Sequence, residues 1–223
     1  MNKTKKLNRQ NNLLDQQIWE ENQEIFTDMI CYIRGAAISD YQVEVVRQDL
    51  TEMVLSAQSR GENITTLFTG DYQQFCDEVI AAIPPKTRKE KIVDALDVVF
   101  FGLSILIGIN TIISKDFIGI IKALFTKATV NWNISVSLGT LLSMVVIMAA
   151  AVIVVQMICK KSFEKKGNTL RAVAGAFALG IIFTAILWLG RSIVFTVNFF
   201  VACAVGILFF AIHKVLENVE DPA

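Results

Sequence analysis

Ile83-Pro84-Pro85-Lys86-Thr87-Arg88-Lys89-Glu90-Lys91 divides this chain into two kinds of sequence. Before it the residues are polar and patterned for helices that face water. From Leu96 onward apolar residues dominate and charges retreat into short clusters. Each proline lacks an amide donor and restricts the residue before it, so a helix must stop at the border. Four basic side chains follow, where the headgroups of a cytoplasmic leaflet would hold them. The fold class read from this is all-α. A three-helix soluble domain spans 1–83, a basic junction 84–95, a four-helix membrane bundle 96–213, and a tail 214–223.

In the soluble part, Met1 to Gln10 is expected to fray. Ile18, Ile25 and Met29, with Trp19, Phe26, Ile30 and Ile33 beside them, predict one long amphipathic helix from Asn11 to Arg34, closed by Gly35. Ser39 and Gln42 form a capping-box pattern ahead of a second helix carrying Val43, Val46, Leu50, Met53 and Ala57, which stops at Arg60-Gly61. A short link follows, with room for one turn and with Ile64, Leu67 and Phe68 facing inward. Asp71 then caps a third helix bearing Phe75, Cys76, Val79, Ile80 and Ile83. Asp15, Glu20, Glu21, Asp49, Glu52, Asp77 and Glu78 are read as a solvated acidic face.

Ala57-Gln58-Ser59-Arg60-Gly61-Glu62, Thr69-Gly70-Asp71-Tyr72 and Phe75-Cys76-Asp77-Glu78 carry a family resemblance. This part resembles a small bacterial helical domain of unknown function, some members of which are labelled ferritin-like. It is also similar to the HAAS signalling domains of bacterial membrane proteins. The resemblance covers residues 1–85. It implies a link to PadR-type transcriptional repressors, beside whose genes such proteins are often encoded. The ferritin-like label would imply iron, but no Glu-x-x-His pair is present, because His213 is the sole histidine.

Four apolar runs follow the junction, about 96–113, 134–158, 172–189 and 193–212, each near the ~20 residues that cross a hydrocarbon core. Lys86, Arg88, Lys89 and Lys91 on one side of the first span match Lys160, Lys161, Lys165, Lys166 and Arg171 after the second. The positive-inside rule places both groups, and so both termini, in the cytoplasm of a multi-pass plasma-membrane protein. No signal-peptide pattern opens the sequence. Between the first two spans, Phe117, Ile118, Ile121, Leu124 and Phe125 predict an interfacial helix over 116–128, with a re-entrant segment as the alternative. The Gly190-Arg191-Ser192 connection is short enough to make the last two spans antiparallel neighbours. Ala172, Ala176, Gly180 and Thr184 in the third span, and Ala202 and Gly206 in the fourth, repeat every four residues and predict close helix packing between them.

Lys and Arg number 21 and so do Asp and Glu, so no basic field argues for binding nucleic acid. Cys31, Cys76, Cys159 and Cys203 form no CxxC pair and are expected to be unpaired thiols in a reducing compartment. No nucleophile and base are paired in the sequence, and neither a catalytic residue, a metal ligand nor a cofactor is assigned. Asp94 and Asp97 are read as helix-end carboxylates, and Asn110 and Asn198 as packing residues. The expected function is therefore that of a non-enzymatic, membrane-anchored regulatory or adaptor protein, with membrane lipid and a cytoplasmic protein as partners. The alternative is a small permease or exporter subunit, with Ser104, Asn110, Ser137, Thr140, Ser143 and Asn198 lining a thin polar path.

Overall fold

A computed structural model describes residues 2–68, 71–160, 162–163, 175, 180–186 and 188–219, with the side chain of Lys160 excepted. The described chain is mostly helical. Its elements in order are α1 (Lys3–Asp15), α2 (Glu20–Arg34), α3 (Asp40–Ser59), α4 (Ile64–Leu67), α5 (Tyr72–Ala81), α6 (Arg88–Ile113), α7 (Lys115–Thr126), β1 (Asn133–Ser137) and α8 (Leu138–Lys160). A helical stretch within 180–186, here α9, then precedes β2 (Ile193–Asn198) and α10 (Phe199–Val219). Two compact units emerge. One holds the described residues of Met1–Val93, Ile153–Lys165 and Asn218–Ala223, the other those of Asp94–Val152 and Lys166–Glu217.

The first unit departs from the three-helix expectation at its start. The residues expected to fray form α1, capped by Asn2, whose side chain accepts from the Lys5 amide at 3.1 Å. What holds α1 is polar. Asn11 donates to the Glu44 backbone oxygen and to Glu44 Oε2 at 2.8 and 2.9 Å, while Asn8 donates to Oε1 at 3.0 Å. Arg47 pairs with Glu44 at 3.1 Å and also with Asp15, so Asp15 faces inward rather than joining a solvated acidic face. An apolar-period reading passes over such a helix, because Asn, Asp and Arg carry its contacts to α3.

The helix predicted from Asn11 to Arg34 is two helices, broken over residues 16–19. Gln58 of α3 accounts for the break. Its Oε1 accepts from the Trp19 amide at 2.9 Å and from Asn22 at 3.2 Å, and its Nε2 donates to the Gln17 carbonyl at 3.1 Å. One side chain thus satisfies the corner's backbone groups, which would otherwise be orphaned in a buried bend. The Ser39, Asn63 and Asp71 side chains cap α3, α4 and α5, accepting from Gln42, Thr66 and Gln74 amides. Gly61, with φ of 75°, takes the left-handed turn after α3 that the sequence predicted. Met29, Ile33, Val54 and Ile64 are fully buried in the core, each contributing about 1.5–3 kcal/mol.

Gly35 is not a left-handed cap. Its φ is −74°, open to any residue, but a Cβ added there would lie 2.7 Å from the Cys159 Cβ. Glycine is needed so that the carboxy-terminal end of α8 can lie against α2, where Tyr32 and Phe163 also meet at 5.2 Å between ring centroids. This end of α8 belongs to the first unit, although its sequence lies far beyond the junction.

After the prolines, α6 opens on a reciprocal box in which Thr87 Oγ1 accepts from the Glu90 amide at 3.3 Å and Glu90 Oε2 accepts from the Thr87 amide at 2.6 Å. The helix then continues without interruption to Ile113. Among the described residues, three helices, α6, α8 and α10, are long and apolar enough to cross a membrane. Side chains such as Val98, Phe101, Ile105, Val145, Ile153, Phe200 and Ile207 stand exposed on them, an extent of apolar surface suited to lipid and not to water.

The all-α expectation fails in one place. The starts of the predicted second and fourth spans, from Ile134 and Ile193, are strands. β1 and β2 pair antiparallel, Asn133 opposite Asn198 and Val136 opposite Phe195, with a bulge before Ser137. Both are rich in β-branched residues, and each strand supplies the other's backbone partners. The Gly190-Arg191-Ser192 turn accordingly leads into β2 and does not join two spans directly. Gly190 packs on Gly139 at the start of α8, where the Gly139 amide donates to the Gly190 carbonyl at 2.8 Å. A Cβ on Gly190 would also lie 2.8 Å from the Ile186 carbonyl oxygen.

Glu44 supplies the first measurable consequence. Its burial alone would raise its pKa, but hydrogen bonds from Asn11, Asn8 and Arg34 and the charge of Arg47 outweigh this and lower it below the ordinary 4.5. A depressed carboxylate contributes stability above its unfolded pKa and loses it as the pH falls through the folded one. Glu44→Gln is expected to cost about 2–3 kcal/mol at neutral pH and to flatten the acid-induced loss of stability below pH ~4.5, read by thermal unfolding of the full chain in detergent. Gly190→Val should abolish the contact between the start of α8 and the turn that leads into β2, seen as lost amide protection in β1 and β2 by hydrogen exchange.

Candidate functional site

The second unit brings together two residues that lie 116 positions apart. Asp97 is on α6 and His213 on α10, and His213 Nδ1 stands 2.6 Å from Asp97 Oδ1. Their side chains are only 19% and 12% exposed. The Phe101 ring lies 4.5 Å from the imidazole, centroid to centroid, and the Phe210 ring 5.8 Å away. One turn further along, Phe100 and Phe209 meet edge to face at 5.3 Å. A carboxyl group and an imidazole in hydrogen-bond contact beside phenyl rings form a directional clasp between two apolar helices.

From Phe210 an apolar cleft of about 500 Å³ runs along the same two helices past Ser104, Gly108, Thr111, Ala202 and Gly206 to Phe117 and Phe199. At its far end α7 adjoins the sheet. Asp116 accepts from the Ser135 amide at 2.6 Å, Phe117 stacks on Phe199 at 5.6 Å, and Trp132 contacts Phe200 at 5.1 Å. The helix expected over 116–128 is thus present as α7, capped by Ser114 and ended by Lys127 in a left-handed conformation, φ 55°.

The expected site residues scatter. Lys86 is tied to the first unit, its ammonium 3.1 Å from Asp40 and its amide donating to the Ala37 carbonyl, so it is not a free headgroup ligand. Arg88, Lys89 and Lys91 stand exposed on the opening turns of α6. Lys161, Lys165, Lys166, Arg171, Ala172 and Ala176 lie outside the described residues, as does the side chain of Lys160. Gly180 has open space where a Cβ would be, and Thr184 Oγ1 donates to its own helix at the Gly180 and Ile181 carbonyls. Gly206 lies against α6, a Cβ there meeting Ile107 at 3.7 Å. The polar path is broken up locally, with Asn198 accepting from the Phe200 amide and Ser137 bonded to Thr140.

Asp97 and His213 are the pair that sequence reading missed. Asp97 reads adequately as a helix-end carboxylate, and His213 is remote in sequence from any Cys cluster. The available signal was that the sole histidine ends the last apolar run while an aspartate opens the first. Among the described residues no three His, Cys, Asp or Glu side chains converge to hold a metal ion. The polar cleft lined by Lys5, Asn8, Arg34, Asp40 and Glu44 in the first unit has a structural floor, since both Glu44 oxygens already accept hydrogen bonds.

No family model, curated protein or solved structure matches the chain. The site therefore stands on its own geometry.

A double-mutant cycle tests the clasp. Asp97→Asn and His213→Leu should each lower the unfolding temperature in detergent, and the pair should show a coupling energy of about 1–3 kcal/mol. Coupling near zero would mean that the two side chains are neighbours without an energetic bond.

Proposed function

We propose that this is a four-span, membrane-anchored regulatory or adaptor protein with both termini in the cytoplasm. Its amino-terminal helical domain binds a cytoplasmic protein, and its spans bias that binding. The observation that carries the reading is continuity. α6 leaves the Thr87–Glu90 box as one uninterrupted helix and enters the apolar region, while Cys159 at the end of α8 and Phe163 just after it pack on α2. Two apolar helices thus run directly out of the same helical domain, which gives a change in the spans a route to the domain's surface.

The orientation rests on Lys86, Arg88, Lys89 and Lys91 together with the Lys160–Arg171 cluster, against sparser charge at Lys115, Lys122, Lys127 and Arg191. The fourth crossing rests on the apolar run 172–189. The Asp97–His213 clasp is the element whose making or breaking would report the state of the spans. A link to a PadR-type repressor follows only from the resemblance of residues 1–85 to the HAAS and ferritin-like-labelled domains.

Purification of the full-length protein from native membranes in mild detergent is expected to recover a stoichiometric cytoplasmic protein. A flexible Gly-Ser segment inserted after Pro85 should leave membrane insertion intact while making partner recovery insensitive to His213→Leu. Recovery of the chain with no protein partner overturns the reading.

A further inference from the structure

The contact between α2 and the end of α8 brings two cysteines from remote parts of the sequence to one place. Cys31 lies one helical turn before Gly35, whose amide donates to the Cys31 carbonyl at 3.1 Å. The Cys159 Cβ sits 2.7 Å from where a Gly35 Cβ would be. Residues four apart on a helix have Cβ atoms about 5–6 Å apart on one face, so Cys159 lies over the turn that bears Cys31. Tyr32 and Phe163 flank the contact and hold it in register. Both thiols are free and partly exposed, within reach of a small oxidant.

We propose that Cys31 and Cys159 form an oxidant-responsive disulfide that fastens the end of α8 to α2. The co-reactant is a hydroperoxide. The Cys159 thiolate attacks the terminal peroxide oxygen, the O–O bond breaks, and an alkoxide leaves and takes up a proton to become an alcohol, or water if the oxidant is hydrogen peroxide. The sulfenic acid left on Cys159 is then attacked by the Cys31 sulfur, which gives up its proton as water departs and the S–S bond closes. Two thiols thereby lose two electrons, and the peroxide is reduced to alcohol and water.

The order follows from the surroundings of Cys31. Burial, then the neighbouring charge of Cys159 when ionised, holds its thiol above the ordinary value, so it is the poorer first nucleophile and is left to close the disulfide in the second step. Cys76 is fully buried, its thiol pushed up to about 12 by burial, and serves as an inert internal control. A disulfide in a reducing compartment is transient, which suits a modification that tightens the α2–α8 contact only under oxidative load.

The full-length protein in mild detergent, exposed to hydrogen peroxide at pH 8 and then denatured and alkylated, tests this. The expected result is a dithiothreitol-reversible loss of two of the four alkylatable thiols. Peptide mapping should show Cys31 joined to Cys159 within one chain, and the unfolding temperature should rise by several degrees. In Cys31→Ser the linked peptide should vanish and dimedone should capture a sulfenic acid at Cys159. Cys159→Ala, whose smaller side chain avoids strain against Gly35, should leave Cys31 alkylatable after the same treatment. The proposal is overturned if both thiols survive peroxide in the wild type, or if the only linkage found joins two copies of the chain.

Discussion

Backbone hydrogen bonding across a border between water and lipid is the constraint on which the architecture depends. Within an apolar helix every amide finds its carbonyl four residues back, and nothing further is needed. The difficulty comes where a helix ends. At the start of α6 the Thr87–Glu90 box supplies the missing partners. At the starts of α8 and α10 the solution is a sheet, in which β1 and β2 satisfy one another and hand the chain directly to helix at Leu138 and Phe199. The Phe199 amide donates to the Trp132 carbonyl at 2.7 Å, closing the last gap.

The core of the first unit solves the same problem with charge. Glu44 and Arg47 sit inside a small helical domain, where unpaired ions would cost several kcal/mol. They are tolerated because Asn8, Asn11 and Arg34 donate to Glu44, while Asp15 and Asn12 accept from Arg47. Such a network contributes less to net stability than to specifying where α1 lies, since an apolar stripe could slide by a turn and a set of matched donors and acceptors cannot. Among the described residues, the buried Asn11 Oδ1 has no hydrogen-bond partner and marks an imperfect joint.

How much of this could be read beforehand depends on the range over which each feature acts. The caps at Ser39 and Asp71, the turn at Gly61, the stop at Pro84-Pro85 and the apolar runs that become α6, α8 and α10 are local, and residue type alone located them. The break between α1 and α2 was hidden because its cause, Gln58, lies some forty residues away. The strands were hidden because Ile193–Asn198 is as apolar as a helix start, and pairing alone decides between the two. Gly35 was placed correctly at a helix end, but for a reason the sequence could not show, the approach of Cys159. Asp97 and His213 each had an adequate local explanation, and their meeting exists only in three dimensions.

The sheet also fixes an order of events. β1 is synthesised well before β2, with the whole of α8 and the stretch that follows it in between. At ~5–20 residues per second the first strand waits for several seconds with unpaired amides and carbonyls. Closing so long a loop carries an entropic cost that grows slowly with its length. The pairing of Asn133 with Asn198, and the contact of Gly139 with Gly190 beside it, must therefore be among the last steps of assembly. A chain stalled or truncated before Asn198 would present an open strand edge, a ready target for membrane quality control.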